Sequence, residues 1–302
     1  PNLFNMPIQV DAHATSADNS FFSSEEPVSA SYLAFGDGGV DDAEDADVVI
    51  HEYGHALSYA ANPNGYPRGG GSQGRLERRG LDEGLCDYLA TSYSRALSAF
   101  RWQDMFTWDG HNEYWNGRSA AISSTYQQIR QSGTSNFYIY GELWASALMQ
   151  AWPSVGAQEL DRIQLQALYG QVQEMPLPDA ALNFLEAEWL LYQGTYKQAI
   201  GDAFCNYGLL SQCNPLQAGG AQQPLPRLQV HPNPTRGELH LQVPTTLQGQ
   251  PARLLDAQGR HVHQLQLGGA PAQHIQLPPL PEGLYILMVP GGAHTKLWIQ
   301  HR

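Results

Sequence analysis

Residues 47–60 read DVVIHEYGHALSYA, with two histidines four apart and a glutamate directly after the first. A helix turns once every 3.6 residues, so His51 and His55 project from one face, one turn apart. Two imidazoles in that arrangement can grip one zinc ion from adjacent tetrahedral positions. Glu52 points to one side of such an ion, where it can take a proton from metal-bound water. The opposing reading is a surface helix carrying two solvated histidines. Val48, Val49 and Ile50 before the motif, with Ala56 and Leu57 after it, predict a helix buried on much of its circumference. Buried paired histidines need partners.

A zinc site needs a third protein ligand, and catalysis needs an open fourth position. The next helical pattern, LDEGLCDYLA at 81–90, offers both a ligand and its support. Glu83 and Asp87 lie four apart on one face, beside apolar Leu81, Leu85 and Leu89. A carboxylate in so apolar a helix is costly unless it is paired or metal-bound. Glu83 fits as third ligand, and Asp87, one turn on, fits as the acceptor that orients a ligating histidine, assigned to His51. A solvated acidic pair fits poorly on so apolar a face, and no compensating lysine or arginine is expected beside it.

HEYGH followed by DEGLCD resembles the gluzincin metallopeptidases of the thermolysin/fungalysin group, whose pattern is HExxH and then ExxxD on the following helix. DNSFF at 18–22 stands where that family has an edge strand that pairs with the substrate backbone, which implies a substrate-binding role for Asn19. GELWASALMQAW and GAQELDRIQLQALY look like the family's GExWA helix and its successor, and the likeness covers about 18–210. The family's transition-state histidine, expected just before the GExWA-like helix, is absent from NFYIYGE. Tyr138 or Tyr140, or His111 in WDGHNEYWNGR, stands as a replacement donor to the oxyanion. The resemblance also gives Asp47, four before His51, as a counterpart of a calcium-binding aspartate. The acidic run GDGGVDDAEDAD at 36–47 suits that ion, but a helix N-cap accounts for it better.

The rest of the chain fits around this centre. Residues 1–43 read as short strands and loops, 44–212 as mainly helical, and NPLQAGGAQQPLPR within 213–227 as a linker. YPRGGGSQGR and the basic run RLERRG at 75–80 read as surface loop, and RSAAISSTYQQIRQ as a helix. Cys205 and Cys213 are close enough in sequence to close a short loop in an oxidising compartment, while Cys86 reads as a buried free thiol. The expected class is α+β: a zincin-type metallopeptidase with a mostly helical C-terminal lobe over 1–212, followed by a small all-β sandwich.

That sandwich, residues 228–302, carries VHPNPTRGELHL, LLDAQGRHV, LPEGLYILMV and TKLWIQHR. The set resembles the C-terminal sorting domain of type IX secretion cargo. It implies contact with that machinery and export across the outer membrane of a Bacteroidetes-type bacterium, to the medium or the cell surface. With 29 acidic against 16 basic residues the net charge is −13, which argues against a nucleic-acid partner. No apolar run approaches the ~20 residues of a membrane span. No signal peptide is visible in PNLFNMPIQVD, so the chain is read as processed or trimmed.

The expected function is a secreted zinc endopeptidase acting on protein or peptide substrates through a water activated by Glu52. The competing readings are a surface adhesion protein that keeps the fold but not the catalysis, and an exopeptidase.

Overall fold

The computed structural model describes residues 7–67, 69, 71–210, 213, 228–256, 261–289 and 293–301. The chain divides into two units, Pro1–Pro215 and Leu216–Arg302. The expected linker lies outside the described residues except for Cys213, as do residues 257–260 of the turn in LLDAQGRHV.

The first unit opens with three strands, β1 (Gln9–Thr15), β2 (Phe21–Ser23) and β3 (Tyr32–Gly36). Central β3 buries Leu33, Ala34 and Phe35, pairing parallel with β1 and antiparallel with β2. The order β1-β3-β2 makes β2 an edge strand. Helix α1 (Ala46–Ala61) begins where Asp45 caps it, accepting the Asp47 N–H at 2.8 Å, and ends at Asn62. Asn62 closes the following turn by accepting the Gly65 N–H.

Helix α2 (Gln73–Leu97) starts two turns earlier than the sequence pattern suggests. The run RLERRG is therefore helix and not loop. Glu77 and Arg78 are both 1% exposed, because each has a buried partner that no local pattern announces. Arg78 pairs with Asp82 at 3.4 Å, and Glu77 accepts from Arg130, Tyr126 and the Leu177 N–H. Two close backbone approaches set α2 among its neighbours. A Cβ on Gly54 would stand 3.1 Å from the Cys86 Cα, and one on Gly84 would stand 2.6 Å from the Gly141 carbonyl oxygen. Glycine at these positions lets α1 and the GExWA-like helix lie directly against α2.

A two-stranded ribbon, β4 (Asp104–Met105) and β5 (Arg118–Ser119), brackets a long loop. The expected helix over RSAAISSTYQQIRQ is confined to α3 (Tyr126–Ser132), because Thr125 and Gln128 form a capping box there. Helices α4 (Tyr138–Val155), α5 (Ala157–Ala167), α6 (Leu177–Tyr192) and α7 (Lys197–Asn206) complete the unit around Leu143, Trp144, Leu148, Phe184 and Phe204. A disulfide joins Cys205 to Cys213, and Cys86 is a buried free thiol.

The second unit is entirely β among its described residues apart from one 3₁₀ turn. Strands β6 (Gln229–His231), β7 (Glu238–Gln242), β8 (Pro251–Asp256), β9 (His261–Gln266), β10 (Ala272–Gln276), β11 (Gly283–Val289) and β12 (Ala293–Ile299) form two sheets, β10-β7-β6 and β12-β11-β8-β9. Alternation decides the faces: in β7, Leu239 and Leu241 are buried while Glu238, His240 and Gln242 are exposed. One apolar cluster takes residues from both sheets, including Leu241, Leu254, Leu287 and Leu297. Among the described residues, no helix of the chain is long and apolar enough to cross a membrane.

Candidate metal centre

The approach of Gly54 to Cys86 sets the histidines of α1 over one turn of α2. The Nε2 atoms of His51 and His55 lie 3.2 Å apart, with Glu83 Oε2 3.3 Å from the first and Oε1 4.0 Å from the second. Each Nδ1 has its own carboxylate: Asp87 Oδ1 at 2.9 Å for His51 and Asp82 Oδ2 at 2.7 Å for His55. With each Nδ1 turned to its own aspartate, both Nε2 atoms face the Glu83 carboxylate. Burial would raise the Glu83 pKa, but the hydrogen bond from His51 and the charges of His55, His51 and Arg118 hold it at about 2.

The aspartate behind His55 was not among the sequence candidates. Asp82 adjoins Glu83, is 3% exposed, and also accepts from Ser58 Oγ at 2.6 Å. Burial works to raise its pKa, yet the bond and charge of His55 and the charge of Arg78 bring it below the usual range. Arg118 is the other residue that sequence reasoning missed, and it corrects the view that no cation compensates α2. Its Nη2 donates to Asp87 Oδ1 at 2.8 Å and lies 4.0 Å from Glu83 Oε2. Glu142 of α4 fixes its strand by accepting the Ser119 N–H at 2.8 Å. The guanidinium sits over the rings of Phe106 and Tyr138, 4.6 and 5.0 Å from their centroids.

These groups line a cleft of about 740 Å³ that also includes Asn19, Phe21, Tyr66 and Tyr138. Glu52 is 6% exposed and lines the cleft, and its Oε2 has no hydrogen-bond partner among the described residues. Tyr138, 40% exposed, is the tyrosine at the cleft. Tyr140 is buried and its hydroxyl accepts from Gln73. His111 does not line the cleft: its Nε2 lies 2.9 Å from the Met105 carbonyl oxygen, where it braces the loop. Asp47 is likewise engaged elsewhere. Its oxygens accept from the Ser94 hydroxyl and, at 3.1 Å, from the Phe106 N–H, so that Asp47 ties α1 to α2 and to the loop after β4.

The donor set suits a borderline metal such as zinc: two imidazole nitrogens and a carboxylate. Cys86 is a rival to Glu83, because its sulfur and the two histidines come within 4.8 Å of one another. Burial raises the Cys86 thiol well above its usual pKa, and the charges of Asp82 and Glu83 push the same way. Glu83 lines the cleft, whereas Cys86 is fully buried and does not.

Residues 36–159 match the family model of the fungalysin metallopeptidases (M36), spanning α1, α2, Arg118 and all of α4. Residues 229–300 match the secretion system C-terminal sorting domain, which marks cargo of type IX secretion in Bacteroidetes, released or held at the cell surface. No curated protein matches the chain. The two matches together support a secreted metallopeptidase that uses zinc.

Proposed function

We propose that this chain is a zinc endopeptidase of the thermolysin/fungalysin kind, a gluzincin, built on a zincin-type fold over residues 1–212 and exported through its sorting domain at 228–302. One observation carries the reading: two Nε2 atoms and the Glu83 carboxylate converge beside Glu52, with each Nδ1 held by a separate aspartate. His51, His55 and Glu83 would hold the ion. Zinc bound there supplies Lewis acidity, making a coordinated water more acidic and polarising the scissile carbonyl.

The remaining chemistry belongs to the chain. Glu52, with Oε2 unpartnered on the cleft, accepts the proton of the attacking water and returns it to the leaving amine. Asp87 and Asp82 hold both imidazoles in the tautomer that leaves Nε2 free. Tyr138 and Arg118 line the same cleft and offer donors to a developing oxyanion in place of the histidine missing from NFYIYGE just before the GELWA run of α4. An extended peptide adds to the free edge of β2, with Asn19 contacting its backbone.

Glu52→Gln tests the reading. Zinc content should stay at one per chain while casein hydrolysis falls by about 10²–10⁴-fold. Unchanged hydrolysis would remove Glu52 from the mechanism. Stoichiometric zinc in the native chain, with no cleavage across a broad peptide library, would favour an adhesion role. The third ligand is tested separately: Glu83→Gln should lose zinc and Cys86→Ala should keep it, and the opposite result would make the site a thiolate centre.

A further inference from the structure

The wall of the cleft formed by the β1–β2 connection, the turn before α1 and the β4–β5 loop holds a second group of carboxylates that the mechanism does not use. One oxygen each from Asp18, Asp42 and Asp109 falls within 4.8 Å of the others. At a net charge of −13 an acidic cluster alone means little. Its burial and its partners distinguish this one. Asp42 is 2% and Asp109 5% exposed, and each gives one oxygen to a neutral donor: Asp42 Oδ2 accepts from Ser20 Oγ at 2.5 Å, and Asp109 Oδ2 from Trp115 Nε1 at 2.9 Å. The other oxygen of each, Oδ1, is buried without a hydrogen-bond partner among the described residues. None of the ion pairs among the described residues involves any of the three aspartates.

Carboxylates this close repel one another, and the two buried ones, Asp42 and Asp109, are desolvated without a countercharge. The backbone nevertheless makes room for them. Gly39 has φ +69°, and a Cβ there would stand 2.9 Å from Asp18 Oδ2. The positive φ favours glycine there, and the lack of a side chain leaves the Asp18 carboxylate where it is.

We propose that Asp18, Asp42 and Asp109 bind a calcium ion. All the donors are hard oxygens, with no nitrogen or sulfur in the set, which separates this group from the histidine centre. Three carboxylates from three irregular segments suit the adaptable shell of calcium, with water completing it, better than the rigid octahedron of magnesium. Affinity on the order of 10⁻⁴ M is expected, in the range of extracellular calcium modules and suited to an exported chain. The ion would tie the segment carrying Asn19 to the lead-in of α1 and to the loop that ends in Arg118.

Terbium luminescence of the full, zinc-loaded chain tests this without reading hydrolysis. The Trp115 indole donates to Asp109, so terbium bound there should be sensitised by tryptophan excitation. The expected result is saturable emission displaced by calcium, weakened at least tenfold in affinity by Asp109→Asn and several-fold by Asp18→Asn, with zinc content unchanged. Asp18 is exposed, so its variant keeps the test valid if Asp109→Asn fails to fold. Emission unchanged in both variants would place the ion elsewhere. An absence of terbium binding, together with a preference for lysine or arginine peptides lost in Asp18→Asn, would instead make the cluster a subsite for basic side chains. Either outcome overturns the proposal.

Discussion

The two units bury different things. The amino-terminal unit takes His51, Glu52, Glu77, Arg78, Asp82 and Asp87 almost completely out of water. In the carboxy-terminal unit the described buried polar side chains are only Thr235 and Asp256, and the core is leucine and valine from two facing sheets. The second unit shows what folding alone requires, which is apolar area removed from water in the right alternation. Nothing in that requirement explains six buried charged or ionisable groups on two helices. They are costly unless mutually paired, and their concentration beside a cleft marks where the chain does chemistry.

The largest effect should come from breaking one of those pairings. Asp82→Ala removes the partner of His55 Nδ1, of Ser58 and of buried Arg78 at once. Leaving Arg78 uncompensated should cost about 3–5 kcal/mol of stability. Loss of the orienting bond should weaken zinc binding by about 10–100-fold. Denaturant unfolding and chelator competition measure the two separately. If both stay at the native values, Asp82 is not part of the centre. In the carboxy-terminal unit the corresponding test is Leu254→Ala, at a fully buried position, which should cost about 2–5 kcal/mol. That loss should appear in the unfolding of the sheets alone and leave zinc affinity unchanged. A change in zinc binding would mean that the contrast between the units is wrong.

How much of this could be read from the sequence follows from the same contrast. The grouping of His51, Glu52, His55, Glu83 and Asp87 was legible because a helix puts residues four apart on one face; the first four line one cleft and Asp87 lies buried behind His51. The β character of the second unit was legible from its short alternating runs. Arg118 was not, since it arrives on a two-residue strand, 67 positions from His51, held by the Glu142 carboxylate. Asp82 carried no signal separate from its neighbour Glu83, and the start of α2 was hidden because Glu77 and Arg78 are buried by long-range partners that composition does not reveal. His111 and Asp47 had suggestive residue types, but the partners they brace, the Met105 carbonyl and the Phe106 N–H, could not be read from the sequence.

A smaller effect should follow from the helix cap between these extremes. Asp45 is buried and accepts three backbone N–H groups, those of Asp47, Trp108 and Asp109, at 2.8, 3.0 and 2.9 Å. It both starts the histidine helix and fastens the loop after β4. Asp45→Ala should cost about 1–2 kcal/mol, the upper part of the range for a lost cap, because two loop donors are orphaned with it. Thermal unfolding with and without zinc checks this. A loss below the range would show that the loop donors find water instead.

The smallest expected effect concerns the same chemistry at the surface. His13 Nδ1 lies 2.7 Å from Asp37 Oδ1, as close as the buried pair of His55 and Asp82, but both side chains are in water. The hydrogen bond to Asp37, and then its charge, raise the His13 pKa above the ordinary 6.5. A raised folded-state value stabilises the chain below the unfolded pKa, and that contribution fades as pH climbs through the folded one. Stability should therefore soften slightly as pH rises just above 6.5, and Asp37→Asn should return the His13 midpoint towards 6.5 in an NMR titration. Solvent screening makes such a pair weak, so zinc content and hydrolysis should not respond. An unchanged midpoint would break the pairing. A loss of zinc in the same variant would mean that this exposed pair is coupled to the buried centre, and that burial is not what separates structural charges from functional ones here.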